Sequence, residues 1–184
     1  TVYGPPGLRE FLDFVLKSTH AFLDYPLEVR ESEGGELYAG ESFRLVAEPL
    51  KHRSFCLGFA FVEKDRPGRF DAERAKKLGI PPGPLYGQLK AGGEVRLPDG
   101  RVVRGSDLVG PPIPGRKVAY VVDTVPCPGA YHLAQDADLV IFDSTYAAAN
   151  QDEGKEYGHS TSLQAFKVAK RSGAKRLALF HFSP

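Results

Sequence analysis

Four strand-like runs in this sequence of 184 residues each close on a side chain able to bind a cation or move a proton. His52 closes EPLKH, Asp123 closes VAYVVD, Asp143 closes LVIFD and His181 closes LALFH. Strands of one sheet that finish at a common edge bring their end residues together however distant they are in sequence, and ligand sites favour that edge. Two imidazoles and a carboxylate form a donor set that suits Zn²⁺. A further histidine stands in EYGHSTSLQ, residues 156–164, where His159, Ser160 and Thr161 precede an amphipathic run. Ser160 or Thr161 can cap that helix by accepting from a first-turn N–H, so the imidazole is not needed for the cap. Each residue alone has a plainer explanation. Asp123 before Thr124 and Asp143 before Ser144 can close turns on their own backbone, and His52 and His181 can be satisfied polar residues at strand ends. His20 and His132 fall on helical segments with no partner in view.

The elements that would carry these groups follow from periodicity and punctuation. PPGLREFLDFVLKSTHAF opens on proline and repeats Leu8, Phe11, Leu12, Val15 and Leu16 at helical spacing, which predicts a helix packed on a core. Strands are expected at 27–31, 42–50 and 55–64, the last two as a hairpin. VRLPDGRVV, 95–103, reads as a second hairpin turning at Pro98-Asp99-Gly100. Then come strand 117–124, a helix around 130–135, strand 137–145, a polar loop, a helix from Ser160 stopped by Gly173, and a last strand in RLALFHFSP. That alternation describes α/β layering with strands buried on both faces.

The stretch from Lys64 to Arg96 has a different texture. Eight basic residues against four acidic ones leave +4, more than the +1 of the whole chain. Between Gly79 and Gly93, eight of fifteen residues are Gly or Pro, a density that argues against helix or central strand and for an extended arm. Phe70, Ile80, Leu85, Tyr86 and Leu89 make it more apolar than a disordered linker.

Composition sets outer bounds. At 42% hydrophobic and 26% charged the chain is ordinary for a globular domain. A net charge of +1 gives no global attraction to nucleic acid, so such binding must be local. No apolar run of about 18 residues and no basic-then-apolar start is present, so nothing calls for a membrane and a cytoplasmic location is expected. Cys56 and Cys127, without metal-type spacing, are expected as free thiols. Methionine is absent even at position 1, and TVYG reads as the tail of a strand, so the chain is expected to be a segment of a longer protein.

GHST at 158–161, DT at 123–124, DRPGRFDAERAKKLGIPPGPLYGQL at 65–89 and HFSP at 181–184 together resemble the ribonuclease Z family, the tRNA 3′-processing endoribonucleases of the metallo-β-lactamase superfamily. The likeness runs over the whole chain, and the GIPPGP element of the arm is its specific part. It implies a metallo-β-lactamase-like αββα sandwich, here residues 1–184 as the C-terminal portion of one domain lacking its N-terminal part, with a tRNA-binding arm inserted at about 65–93.

The resemblance further implies two Zn²⁺ per complete site. His52 and His181 would be terminal ligands, Asp123 the bridging carboxylate, and His159, steered by Asp143, the group assisting the leaving oxygen. Arg66, Arg69, Arg74, Lys76, Lys77, Gly83, Pro84 and Lys90 would belong to the arm's RNA contacts, the substrate would be precursor tRNA, and the assembly a homodimer. Three departures stand out. Asp143 is one methylene shorter than the family's Glu, which predicts a longer or water-bridged contact to His159. Val122 replaces a glycine and is expected to crowd the backbone. The family's His-x-His-x-Asp-His cluster is not in these residues, so the segment alone is expected to be inactive. Two rivals remain: a related hydrolase of small phosphodiesters or sulfate esters, and a non-catalytic RNA-binding or dimer-forming remnant.

Overall fold

In the computed structural model, which describes residues 1–183, the chain begins with β1 (Val2–Gly4), α1 (Leu8–Ser18), β2 (Val29–Glu31) and β3 (Gly35–Ala39). There follow β4 (Phe43–Leu50), β5 (Cys56–Glu63), α2 (Ala72–Lys77), α3 (Pro84–Lys90), β6 (Glu94–Arg96) and β7 (Val102–Arg104). The last part contains β8 (Lys117–Val121), α4 (Pro128–Ala134), β9 (Leu139–Asp143), α5 (Gln151–Tyr157), α6 (Ser162–Arg171) and β10 (Leu177–Phe180). Two compact units result: one combines Thr1–Glu63 with Arg116 onward, the other is Lys64–Gly115.

The first unit is built on a six-stranded sheet in the order β10-β9-β8-β5-β4-β3. β10, β9 and β8 are parallel neighbours, whereas β8-β5, β5-β4 and β4-β3 pair antiparallel. One face is dry: Ala60, Ala119, Val121, Val140 and Phe142 pack with Ala130, Leu133, Ala165 and Val168 from α4 and α6. Because side chains alternate along a strand, the register puts Phe43, Leu45, Phe59, Phe61, Val118, Tyr120, Ile141 and Phe180 on the other face. There Phe61, Tyr120 and Phe180 are 37%, 38% and 44% exposed. The expected cover on both faces is therefore incomplete at these three positions, although Ala47 and Leu57 on the same side are buried.

α1 forms where its periodicity predicts, but none of its residues is buried, and Phe11 and Phe14 are well exposed. It packs on β2, which pairs in parallel with β1, rather than on the main core. In this unit two elements have no sequence antecedent. β3, GELYA, is a short run between Gly34 and Gly40, and α5 occupies the polar loop, closing at Gly158 in left-handed backbone. Burial pushes the half-buried Cys56 thiol up to about 11, with the Asp123 charge adding to the effect. A free thiol of ordinary pKa 9.0 would carry roughly a hundredfold more thiolate at neutral pH, so metal-free Cys56 should alkylate about that much more slowly than the same residue in the unfolded chain. Mass-spectrometric alkylation rates check this; equal rates would contradict it.

The second unit has its own core of Ala75, Ile80, Leu89, Val95, Leu97, Val103 and Leu108, edged by Phe70, Leu85 and Tyr86. The expected extended backbone at 79–93 is corrected: α3 forms there, and α2 precedes it. Pro84 sits in the first helical turn, where its missing N–H costs nothing, and Asp71 caps α2 by accepting from the Arg74 N–H at 2.8 Å. β6 and β7 pair around the Leu97–Gly100 turn as the hairpin signal predicts.

Candidate metal centre and catalytic site

Parallel pairing sets the position of the site. Val121 of β8 lies beside Phe142 of β9, and Asp143 beside Phe180 of β10, so the chain leaves three adjacent strands at one edge. Asp123 and His181 stand just past those ends with φ of 53° and 61°. Left-handed backbone is uncommon outside glycine and persists where neighbouring contacts over-determine it. Such contacts are present. The Lys51 N–H donates to Thr124 Oγ1 at 3.1 Å, tying the β4–β5 turn to the end of β8, and the Ser144 N–H donates to the Phe180 carbonyl at 2.8 Å.

Asp143 is the hub. It is fully buried, and its Oδ2 accepts from the Thr124 N–H (3.0 Å), His159 Nδ1 (2.9 Å) and the Ser160 N–H (3.4 Å). Its Oδ1 accepts from the Thr145 N–H (2.9 Å) and the Thr145 hydroxyl (2.7 Å). Ligand atoms of Asp123, Asp143, His159 and His181 all lie within 4.8 Å of one another. With both carboxylate oxygens occupied by donors, however, Asp143 is suited to orienting its neighbours rather than to holding an ion.

Hydrogen bonding also fixes two imidazole tautomers. His52 Nδ1 faces the Gly158 carbonyl at 3.1 Å, and a carbonyl only accepts, so the proton is on Nδ1 and Nε2 keeps its lone pair. His159 directs Nδ1 at Asp143 in the same way. The His52 and His159 ring centres are 4.8 Å apart, those of His159 and His181 are 5.1 Å apart, and His181 Nε2 is 3.5 Å from Asp123 Oδ1. The edge thus gathers His52, Asp123, Asp143, His159 and His181, although His52 reaches the others through His159 and stands outside the tightest group. Free imidazole lone pairs beside an accessible carboxylate fit a zinc-type donor set.

Glycine at 158 is a steric requirement: its φ is +83°, and a Cβ there would lie 2.8 Å from His52 Nδ1 and 3.2 Å from the Arg53 backbone nitrogen. Gly158→Ala should therefore displace His52 and weaken metal binding roughly tenfold or more. Titration with Co²⁺ followed by its visible absorption checks this; unaltered affinity would remove Gly158 from the support of the site.

No protein-family profile matches the chain. A ribonuclease Z from Cyanothece sp. is 47% identical over 183 residues, which is 100% of this chain and 57% of that protein. Along its whole length the chain is similar to ribonuclease Z. It spans somewhat more than half the length of the curated relatives it matches. Among solved structures, the short form of human tRNase Z superposes with a TM-score of 0.66 at 27% identity, covering 99% of this chain and 60% of that one. The metallo-β-lactamase fold protein YhfI of Bacillus subtilis, at 20% identity, gives 0.53 over 99% of this chain and 52% of its own, a likeness of fold alone.

Two expected departures from the ribonuclease Z pattern resolve differently from expectation. The contact from Asp143 to His159 is direct at 2.9 Å, because the His159 N–H is held by the Gly154 carbonyl at 2.7 Å and the next residue bonds the same carboxylate. Val122 is accommodated, its carbonyl contacted by Cys56 Sγ at 3.5 Å, and the unusual torsion falls on Asp123 instead. Of the two candidate caps, Thr161 caps α6, with Gln164 returning the bond. Ser160 is buried, and its hydroxyl donates to the Thr124 carbonyl.

Arg66, Arg69, Arg74, Lys76, Lys77, Gly83, Pro84 and Lys90 all lie in the Lys64–Gly115 unit and are exposed. Arg74, Lys76 and Lys77 share the last turn of α2, Gly83 and Pro84 start α3, and Lys90 lies 5.4 Å from the Phe70 ring centre. Thr145 has no distinctive signal as a site residue, and Gly158 appears only as the first residue of GHST. Their roles depend on groups brought near only by the fold.

Proposed function

We propose that this chain forms part of a zinc-dependent endoribonuclease that removes the 3′ trailer from precursor tRNA, leaving a 3′-hydroxyl on the tRNA. The observation carrying this reading is the convergence of His52, Asp123, His159 and His181 at one sheet edge with Asp143 buried behind them. His52, Asp123 and His181 would hold zinc, and bound zinc would supply an activated water and offset phosphate charge. Asp143 holds His159 by Nδ1 and stabilises the imidazolium. His159 then gives its Nε2 proton to the departing ribose 3′-oxygen. The segment contributes only part of the site, and with the family's remaining ligands absent from it, it is inactive alone.

Substrate binding falls to the Lys64–Gly115 unit, whose exposed basic residues suit phosphates rather than base edges. Replacing Arg74, Lys76 and Lys77 by glutamate in the full protein should weaken precursor tRNA binding and reduce its salt slope by about 1 per lost phosphate contact. Hydrolysis of a small chromogenic diester should be spared; equal loss on both substrates would contradict this division of labour. The protein is read as cytoplasmic, and among the described residues no helix is long and apolar enough to cross a membrane. Exposed Phe11, Phe14, Phe22 and Tyr25 favour assembly as a homodimer.

Cleavage of precursor tRNA by the full protein, with metal analysis before and after chelation, tests the whole reading. Loss of cleavage on chelation and its return with Zn²⁺ are expected. Metal-independent cleavage, or none on any precursor, would overturn it.

A further inference from the structure

We infer that Thr145 is a positioning residue that sets the tautomer of His181, so that one buried carboxylate presets two imidazoles. Thr145 Oγ1 lies 2.7 Å from Asp143 Oδ1 and also 2.7 Å from His181 Nδ1. A hydroxyl has one proton to donate. An ionised carboxylate has none, so at 2.7 Å the proton lies between Oγ1 and Oδ1; otherwise two lone pairs would face each other. Oγ1 is then left as an acceptor toward His181, which places the imidazole proton on Nδ1. His181 Nε2 keeps its lone pair on the side of Asp123, 3.5 Å away.

The hydroxyl itself is firmly placed. The Thr145 N–H also donates to Asp143 Oδ1, at 2.9 Å, and its carbonyl accepts from the Ser183 N–H at 3.0 Å, so the backbone is pinned on both sides. Asp143 meets His159 directly through Oδ2 and His181 indirectly through Oδ1 and Thr145. His159 and His181 lie nearly parallel, 24° apart, as expected of rings held from behind by one anchor. Left to itself a neutral imidazole populates both tautomers, and the form with the proton on Nε2 has no lone pair to offer on that side.

The consequence for metal binding rests on the function proposed above, but the tautomer does not. In the full protein, Thr145→Val keeps the shape and removes the hydroxyl, while Thr145→Ser keeps both hydrogen bonds. Nitrogen-15 NMR of the metal-free protein should show His181 with its proton on Nδ1 in the wild type and in Thr145→Ser, and mixed or reversed in Thr145→Val. Zn²⁺ affinity, measured by competition with a chromophoric chelator, should fall roughly 10- to 100-fold in Thr145→Val and recover in Thr145→Ser. An unchanged His181 tautomer or an unchanged affinity in Thr145→Val would overturn the assignment. Failure of the wild type to bind zinc would count instead against the proposed function, leaving the NMR result to decide on Thr145.

Discussion

Asp143→Ala is expected to cost about 3–5 kcal/mol of folding stability and to abolish tight metal binding. The carboxylate is fully buried and accepts from the backbone of Thr124, Thr145 and Ser160 as well as from His159 and the Thr145 hydroxyl. Alanine removes the acceptor and leaves those donors facing a cavity, each costing about 1–3 kcal/mol if water does not enter. Partial relaxation brings the sum to the range seen when one partner of a buried charged pair is lost. Against a total stability of about 5–15 kcal/mol, that loss should lower Tm by several degrees, at roughly 2–4 °C per kcal/mol in a chain of about 150–250 residues and less in a longer one. Calorimetry of the full protein checks it. A drop of under about 2 °C would show that Asp143 does not organise the edge.

His159→Ala should lower turnover on precursor tRNA by roughly 10² to 10⁴, the usual worth of general acid–base help, while zinc content stays unchanged. Pairing activity with metal analysis separates the two jobs open to this imidazole. Its ring lies beside both His52 and His181, so proximity alone is compatible with ligation. A proton donor can be removed without emptying the site, whereas a ligand cannot. Zinc lost together with activity would make His159 a ligand and would end its assignment as the acid; unchanged turnover would remove it from the chemistry altogether. A leaving group that needs no proton, such as a nitrophenolate, should restore much of the rate to His159→Ala.

The main strands and the convergence of the site were legible because they rest on local rules. Apolar runs mark β8, β9 and β10, and parallel strands in one sheet must end at a shared edge. α6 was equally readable, since Thr161 and Gln164 form a capping box before an amphipathic run. Other elements depend on context. α5 reads QDEGKEY, with no apolar periodicity to reveal it, and α3 lies in a segment where Gly and Pro counts suggest extension. There the particular placement of Pro84 at the start outweighs overall composition. The same limit applies within the site. Asp143 and His159 carry recognisable chemistry, but nothing local distinguishes Thr145 from any turn threonine, and the steric need for Gly158 exists only once the fold brings His52 beside it.

The partly exposed aromatic side of the six-stranded sheet bears on how these residues can be handled as a protein. Tyr38, Phe43 and Phe61 form a row of aromatic rings with neighbouring centres 5.0 and 4.8 Å apart, and Tyr120 and Phe180 extend the row across the sheet. A greasy plane of that kind captures fluorescent dyes, detergents and other copies of itself. Expressed in isolation the segment should glow with anilinonaphthalene sulfonate and drift toward precipitation on standing. Mixing in a separate polypeptide that corresponds to the part of the longer relatives outside the match should quench the dye and keep the solution clear.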